Sequence, residues 1–432
     1  YKWGVALSTM HSALGQSYRP AGMANDKIKW ETQEQFDIGI DLGFLDNRIN
    51  LTVDWYRKES KDMLMKMQLP SYMGTQGNGS SALSAPYGNY GTMRNTGFEI
   101  ELKTRPIQTK HFSWDSDLQF SINRNKLVAL QGTTSAAIIG YGQWSDVVAM
   151  STVGESMYNF YGYVVEGVYK DFDDILNSPV NTLISTNTYI QNSDGTVKHV
   201  TDPTKYNKSN TVWPGDLKFK DVNGDGKIDA NDKTNIGSPL PKFTFGFTNT
   251  FRYRDFDLSI FINGSVGNKV MNYTAMNYSK MTNTWSNQLK GYTRDRAVVT
   301  CIDQTKTGEN YNWYDDVSNV YVINPTTVTP RIAVGNSYNT NISDRYVEDG
   351  SYIRLKNISL GYTFPAKMIQ KIYLTNLRIY ANVQNLVTIT KYKGYDPEIG
   401  ASTTDANGYV FGLDNGRYPS PTTFSFGINV SF

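Results

Sequence analysis

Apolar and polar positions alternate along this chain in short stretches that recur from one end to the other. In the final segment, Pro421 to Phe432, one parity carries Phe424, Phe426, Ile428, Val430 and Phe432, and the other carries Ser425, Gly427, Asn429 and Ser431. Successive side chains of a strand point to opposite faces, so this segment reads as a strand with one apolar and one small, polar face. The same pattern appears at Trp3, Val5 and Leu7, at Phe36 to Phe44, at Ile49 to Trp55, at Phe98 to Leu102 and at Phe112 to Ile122. It resumes at Phe243 to Phe251, Phe256 to Ile262, Ile358 to Phe364 and Leu377 to Val383. The apolar phase slips near Lys356 and Asn357, which predicts a β-bulge there.

The links between these stretches alternate as well. Short ones at 45–48, 105–110, 253–255 and 365–375 take turns with long ones at 11–34, 61–92, 126–240, 265–349 and 390–421. Strict alternation of tight turns with long loops is the pattern of a membrane β-barrel, with short turns at the periplasmic rim and long loops outside. The expected fold is all-β: about ten antiparallel strands forming part of a large transmembrane barrel. Residues 126–240 and 265–349 are the long extracellular regions. Tyr158 to Tyr169 looks strand-like but is assigned to the first of them, because a spanning strand there would break the alternation of links. The polar face, with Asp37, Asp41, Glu99, Glu101, Asp115, Asp117 and Arg378, is the inner one. A soluble β-sandwich would share the alternation, but its apolar faces would have to meet and its links would not be so unequal.

Composition agrees with this reading. Aromatic residues make up 13% of the 432 residues and charged ones 19%, with a mean hydropathy of −0.46. No run of about 18 apolar residues offers a transmembrane helix, which leaves strands as the means of crossing. A formal charge of +2 gives no sign of a nucleic-acid partner, and the single cysteine, Cys301, supports no internal disulfide. The opening YKWGVALSTM shows no signal peptide, so the chain reads as a mature segment or as one lacking its beginning.

The sharpest local chemistry lies in DVNGDGKIDAND. Asp221, Asn223, Asp225, the Lys227 carbonyl, Asp229 and Asp232 fall at positions 1, 3, 5, 7, 9 and 12 of a calcium loop, with Gly226 at the sharp turn. The expectation is a structural Ca2+ ion, held more weakly than by a loop ending in Glu because the Asp arm is shorter. An Asx-rich turn without an ion would carry the same residues. For substrate, the loop aromatics Trp144, Trp213, Trp285, Trp313 and Tyr314 are the candidates to stack on sugar rings, although such residues also serve as loop packing. His11, His111 and His199 show no metal-ligand spacing, and neither a nucleophile elbow nor a phosphate-binding glycine loop is present, so no enzymatic activity is expected.

The run PGDLKFKDVNGDGKIDANDKTNIGSPLPKFTFGF is followed by FDLSIFINGSVGNKV, SYIRLKNISLGYTFP, LRIYANVQNL and a terminal FSFGINVSF. With YNFYGYVVEGVY before it, this series resembles the C-terminal portion of SusC/RagA-type TonB-dependent outer-membrane transporters of Bacteroidetes, over nearly the whole chain. The resemblance implies a plugged barrel of about 22 strands, of which this chain holds only part. The plug, the TonB-contacting segment and the early strands are expected to lie outside it. It also implies an importer in the outer membrane, paired with a SusD-like surface lipoprotein and energised by TonB–ExbB–ExbD. Oligosaccharides are the main substrates of such transporters and peptides a variant. A surface-binding barrel that transports nothing is the alternative.

Overall fold

The computed structural model describes residues 4–5, 7–66, 83–130, 137–142, 146–184, 187–280, 287–306, 312–334, 337–401 and 410–432. Among them, nine strands form one antiparallel sheet, each hydrogen-bonded to the next in sequence. They are β1 (Thr32–Phe44), β2 (Ile49–Lys66), β3 (Tyr87–Gln108), β4 (Phe112–Leu130) and β5 (Phe243–Tyr253). The sheet continues with β6 (Phe256–Val266), β7 (Tyr352–Thr363), β8 (Asn376–Thr390) and β9 (Thr423–Ser431). Strands β1 and β9 are its two outer members, each paired on one side only among the described residues.

Register keeps each face uniform across strands. Ile38 lies opposite Trp55, Trp55 opposite Phe98 and Phe98 opposite Ile122 on the apolar face. Farther along, Leu258 faces Leu360, Leu360 faces Ala381 and Ala381 faces Phe426. Because a one-residue slip would move every side chain to the other face, this agreement fixes the register. The apolar face is bare of protein: Phe36 is 57% exposed, Ile38 58%, Phe426 83% and Ile428 67%. A contiguous apolar surface of this extent needs hydrocarbon to cover it. The opposite face is polar and cross-linked. Thr52 donates to Asp41 at 2.6 Å, Arg105 and Arg252 both pair with Asp115 at 2.7 and 2.8 Å, and Arg378 pairs with Asp257 at 2.6 Å.

The tight turns follow from local conformation. Leu45, Asp46 and Asn47 all adopt positive φ, between 55° and 62°, and reverse the chain between β1 and β2. Arg254 does the same at φ 52° between β5 and β6. The bulge expected near Lys356 is present. The β7 registers with both neighbours shift there, so that Leu355 and Asn357 are paired and Lys356 is passed over.

Two details differ from expectation. The opening alternation at Trp3 to Leu7 lies partly outside the described residues, and its described part does not join the sheet, which has nine strands among those residues. Instead Leu7–Ser12 pairs with Gly15–Pro20 in a separate ribbon, whose tight reversal is permitted by Gly15 at φ 106°. The link expected at 61–92 is also shorter, since β2 and β3 stay paired out to Lys66 opposite Tyr87. Beyond the lipid zone a strand needs no apolar face, so the alternation stops while the backbone ladder continues.

Most of the packed core lies in the long loop regions, with the outer ends of β2 and β4 adding Met65 and Leu127 to a smaller cluster. Phe160, Met271, Tyr273, Tyr346 and Val410 form one cluster, and Tyr163, Leu217, Phe219, Ile228, Val322 and Tyr338 another. A third gathers Tyr169, Val212, Trp213, Val317 and Val320. Each draws on residues from both long regions, which therefore fold together on top of the wall. Tyr158 to Tyr169 contributes the short strands Phe160–Gly162 and Val165–Val168 to small sheets of this loop assembly, outside the nine-stranded sheet.

Candidate binding surface of the outer loops

The 221–232 loop turns by hydrogen bonds from its own backbone. Asp221 accepts from the amides of Gly224 at 2.7 Å and Gly226 at 2.9 Å, and Asp225 accepts from Lys227 at 3.1 Å. Asp229 caps a short 3-10 turn by accepting from Asn231, while Asp232 reaches back to the amides of Asp229 and Val222 at 2.7 and 2.9 Å. Gly224 and Gly226 both adopt positive φ, at 73° and 82°, which lets the loop bend so tightly. Asp232 is fully buried, and neither it nor Asp221 forms an ion pair among the described residues. The Lys227 ammonium lies 3.1 Å from Asp229 and 3.7 Å from Asp225. Among the described residues no three His, Cys, Asp or Glu side chains converge as a metal centre. The oxygen donors thus stand in calcium-loop order, with their carboxylates turned to amides and to Lys227.

The candidate aromatics fare unequally. Trp144 and Trp285 lie outside the described residues. Trp213, Trp313 and Tyr314 come together: the Tyr314 ring meets Trp213 edge-on at 6.2 Å and Trp313 at 5.5 Å. Trp213 has no exposed surface, so it packs the loop core and offers no face to a sugar, contrary to expectation. Its indole packs among Tyr169, Val212, Val317 and Val320, while its backbone amide donates to the buried Asp216 at 2.9 Å. Tyr314 is occupied as well, accepting from Arg331 at 3.2 Å and carrying the Lys208 ammonium 5.0 Å above its ring.

Two ionic centres escaped sequence reasoning. Arg331 and Asp216, both nearly or wholly buried, pair at 2.8 Å, and Asn339 donates to the same carboxylate at 2.8 Å. Burial pushes the Asp216 carboxyl up, and Arg331 pulls against it. The pair joins residues 115 positions apart and so ties the two long regions together. The second centre is Arg354 on the inner face of β7. It pairs with Asp396 at 2.5 Å and Glu398 at 2.7 Å, and Asp396 also accepts from the Ser420 amide. Both limbs of the loop between β8 and β9 are thereby fastened to the wall. Neither centre has a local motif, because each partner arrives from a distant segment. Of the histidines, His199 places its Nε2 2.9 Å from the Ser178 carbonyl.

A nine-stranded meander, apolar outside and charged inside, topped by long folded loops, is the architecture of an outer-membrane receptor wall. The family described as TonB dependent receptor-like, beta-barrel matches residues 7–386. The chain belongs to the TonB-dependent receptor β-barrel family. Its place is accordingly the outer membrane, and its strands form part of a SusC-like barrel.

Among relatives, TonB-dependent receptor P3 of Formosa agariphila is 33% identical over 413 residues, covering 95% of this chain and 35% of that protein. TonB-dependent receptor SusC of Bacteroides thetaiotaomicron is 26% identical over 411 residues, covering 94% of this chain and 32% of that protein. The chain thus spans about a third of the length of the relatives it matches. In fold it is similar to the RagAB peptide transporter, with a TM-score of 0.70 at 20% identity over 100% of this chain and 39% of that one.

Proposed function

We propose that the chain supplies part of the wall and outer loops of a TonB-dependent importer that takes up oligosaccharides together with a SusD-like surface lipoprotein, driven by TonB–ExbB–ExbD. The observation that carries this reading is the two-sided wall: a bare apolar exterior suited to lipid and an interior lined by Asp41, Glu99, Glu101, Asp117 and Asp257. Such a lumen passes polar solutes and gives a plug a charged surface to rest on. The relative named SusC supports a partnered importer, and the solved structure titled as a peptide transporter makes peptides the second substrate class. No catalytic role is assigned to any residue. The test is affinity purification of the full-length protein from native outer membrane, followed by mass spectrometry. Co-recovery of a surface lipoprotein supports the reading, and a chain that always purifies alone contradicts it.

We also propose that the 221–232 loop holds calcium. The supporting features are the order of its oxygen donors and the buried Asp232 carboxylate without an ion-pair partner. When bound, the ion would be held by Asp221, Asn223, Asp225, the Lys227 carbonyl, Asp229 and Asp232, and would neutralise the loop. Calcium titration of the purified full-length protein is expected to show one saturable site that raises the unfolding temperature, as a ligand of the native state must. A Asp232→Asn variant should lose that response, and an unfolding temperature indifferent to calcium and chelator would contradict the assignment.

A further inference from the structure

Between the two long regions lies a cavity of about 370 Å³, lined by Asp146, Leu183, Ile184, Lys233, Ser337 and Thr340 among others. Its volume falls within the range of small-ligand pockets. Most of its polar groups are already engaged. Asp146 accepts from the Tyr273 hydroxyl at 2.7 Å, and the Thr340 hydroxyl donates to the Ser337 carbonyl at 2.6 Å. The Asn341 amide donates to the Tyr338 carbonyl, and the Tyr338 hydroxyl donates to the Leu217 carbonyl.

Lys233 stands apart from them. The residue is half-buried, its ammonium lies 5.4 Å from the centre of the Tyr163 ring, and it forms neither a hydrogen bond nor an ion pair among the described residues. An ammonium at the edge of a cavity, backed by an aromatic face and without a carboxylate at ion-pair distance among the described residues, can take an anionic acceptor from a ligand. The fixed Asp146 carboxylate in the same cavity repels a second negative charge and accepts from N–H or O–H groups. The cavity therefore suits a ligand with a single carboxylate and hydrogen-bond donors behind it.

We propose that this cavity is a substrate subsite that recognises a carboxylate through Lys233, with Asp146 receiving the donors of the adjoining unit. This rests on the importer reading and narrows its substrate class to carboxylate-bearing oligomers. Two sources share that chemistry: an acidic sugar and the free C-terminus of a peptide.

The experiment is equilibrium binding to the purified full-length transporter complex of four probes. They are a uronate-terminated oligosaccharide, its neutral counterpart, a peptide with a free C-terminus and the same peptide amidated. Wild-type protein is expected to prefer one acid over its neutral partner, and which one identifies the source. Lys233→Met should weaken that acid by roughly tenfold or more, the size of one charge-assisted hydrogen bond, and leave neutral probes unchanged. Lys233→Arg should retain binding, which distinguishes charge recognition from a folding defect. If Lys233→Met binds the acid as well as wild type does, or if wild type binds neither acid, the subsite is wrong. Energy-dependent uptake is measured separately, so its absence would overturn the importer reading while leaving a charge-selective subsite standing.

Discussion

Arg331 and Asp216 show how much of the loop assembly depends on single side chains. Arg331→Met would leave the Asp216 carboxylate buried without its counter-charge, a loss of about 3–5 kcal/mol. Faster hydrogen exchange in residues 208–219 and 337–342 is the expected outcome, and Asp216→Leu in the same chain should restore part of the protection. Unchanged exchange in the single variant would show that the pair bears no such load. At this scale the sequence was least legible. A tryptophan reads the same whether it stacks on a ligand or fills a core, so Trp213 could be placed only once its packing against Tyr169, Val317 and Val320 was seen. The order of oxygen-bearing residues at 221–232 could be read because they are neighbours in sequence, whereas the cavity beside Lys233 could not, since it is assembled from segments far apart in sequence.

Individual strands were far more legible, because a period of two survives in the sequence without knowledge of what lies opposite. The phase slip at Lys356 located the bulge in β7. Deleting Lys356 should therefore close the extra residue opposite β6 and leave Tyr352 and Arg354 on the inner face, because Leu355 and Asn357 already pair with consecutive β6 residues. The expected result is retention of the folded, heat-modifiable species in electrophoresis of outer-membrane preparations; its loss would mean that the bulge does more than keep the two faces in phase. The two faces can be tested in the same assay. Phe245→Lys on the lipid face should cost about 2–4 kcal/mol near the membrane midplane, while Asp117→Asn on the inner face should be tolerated. Equal tolerance of both would reverse the assignment of inside and outside. The outer ends of β2 and β3 were not legible, since above the lipid the ladder persists without an apolar face to mark it.

For the molecule as a whole, the alternation of short and long links disclosed a membrane wall before any strand was seen paired, because only a barrel sorts its connections by side in this way. How the long regions fold was hidden, as their cores arise from contacts between 126–240 and 265–349 rather than from periodicity within either. The central claim is that this wall belongs to an energised importer. Uptake of labelled oligosaccharides and peptides by native cells tests it most directly, comparing wild type, a strain lacking the gene and a strain lacking TonB. The account predicts that uptake of one labelled class is lost in both mutants and returns when the gene is restored. Undiminished uptake of every probe without the gene, or uptake indifferent to TonB, would contradict it.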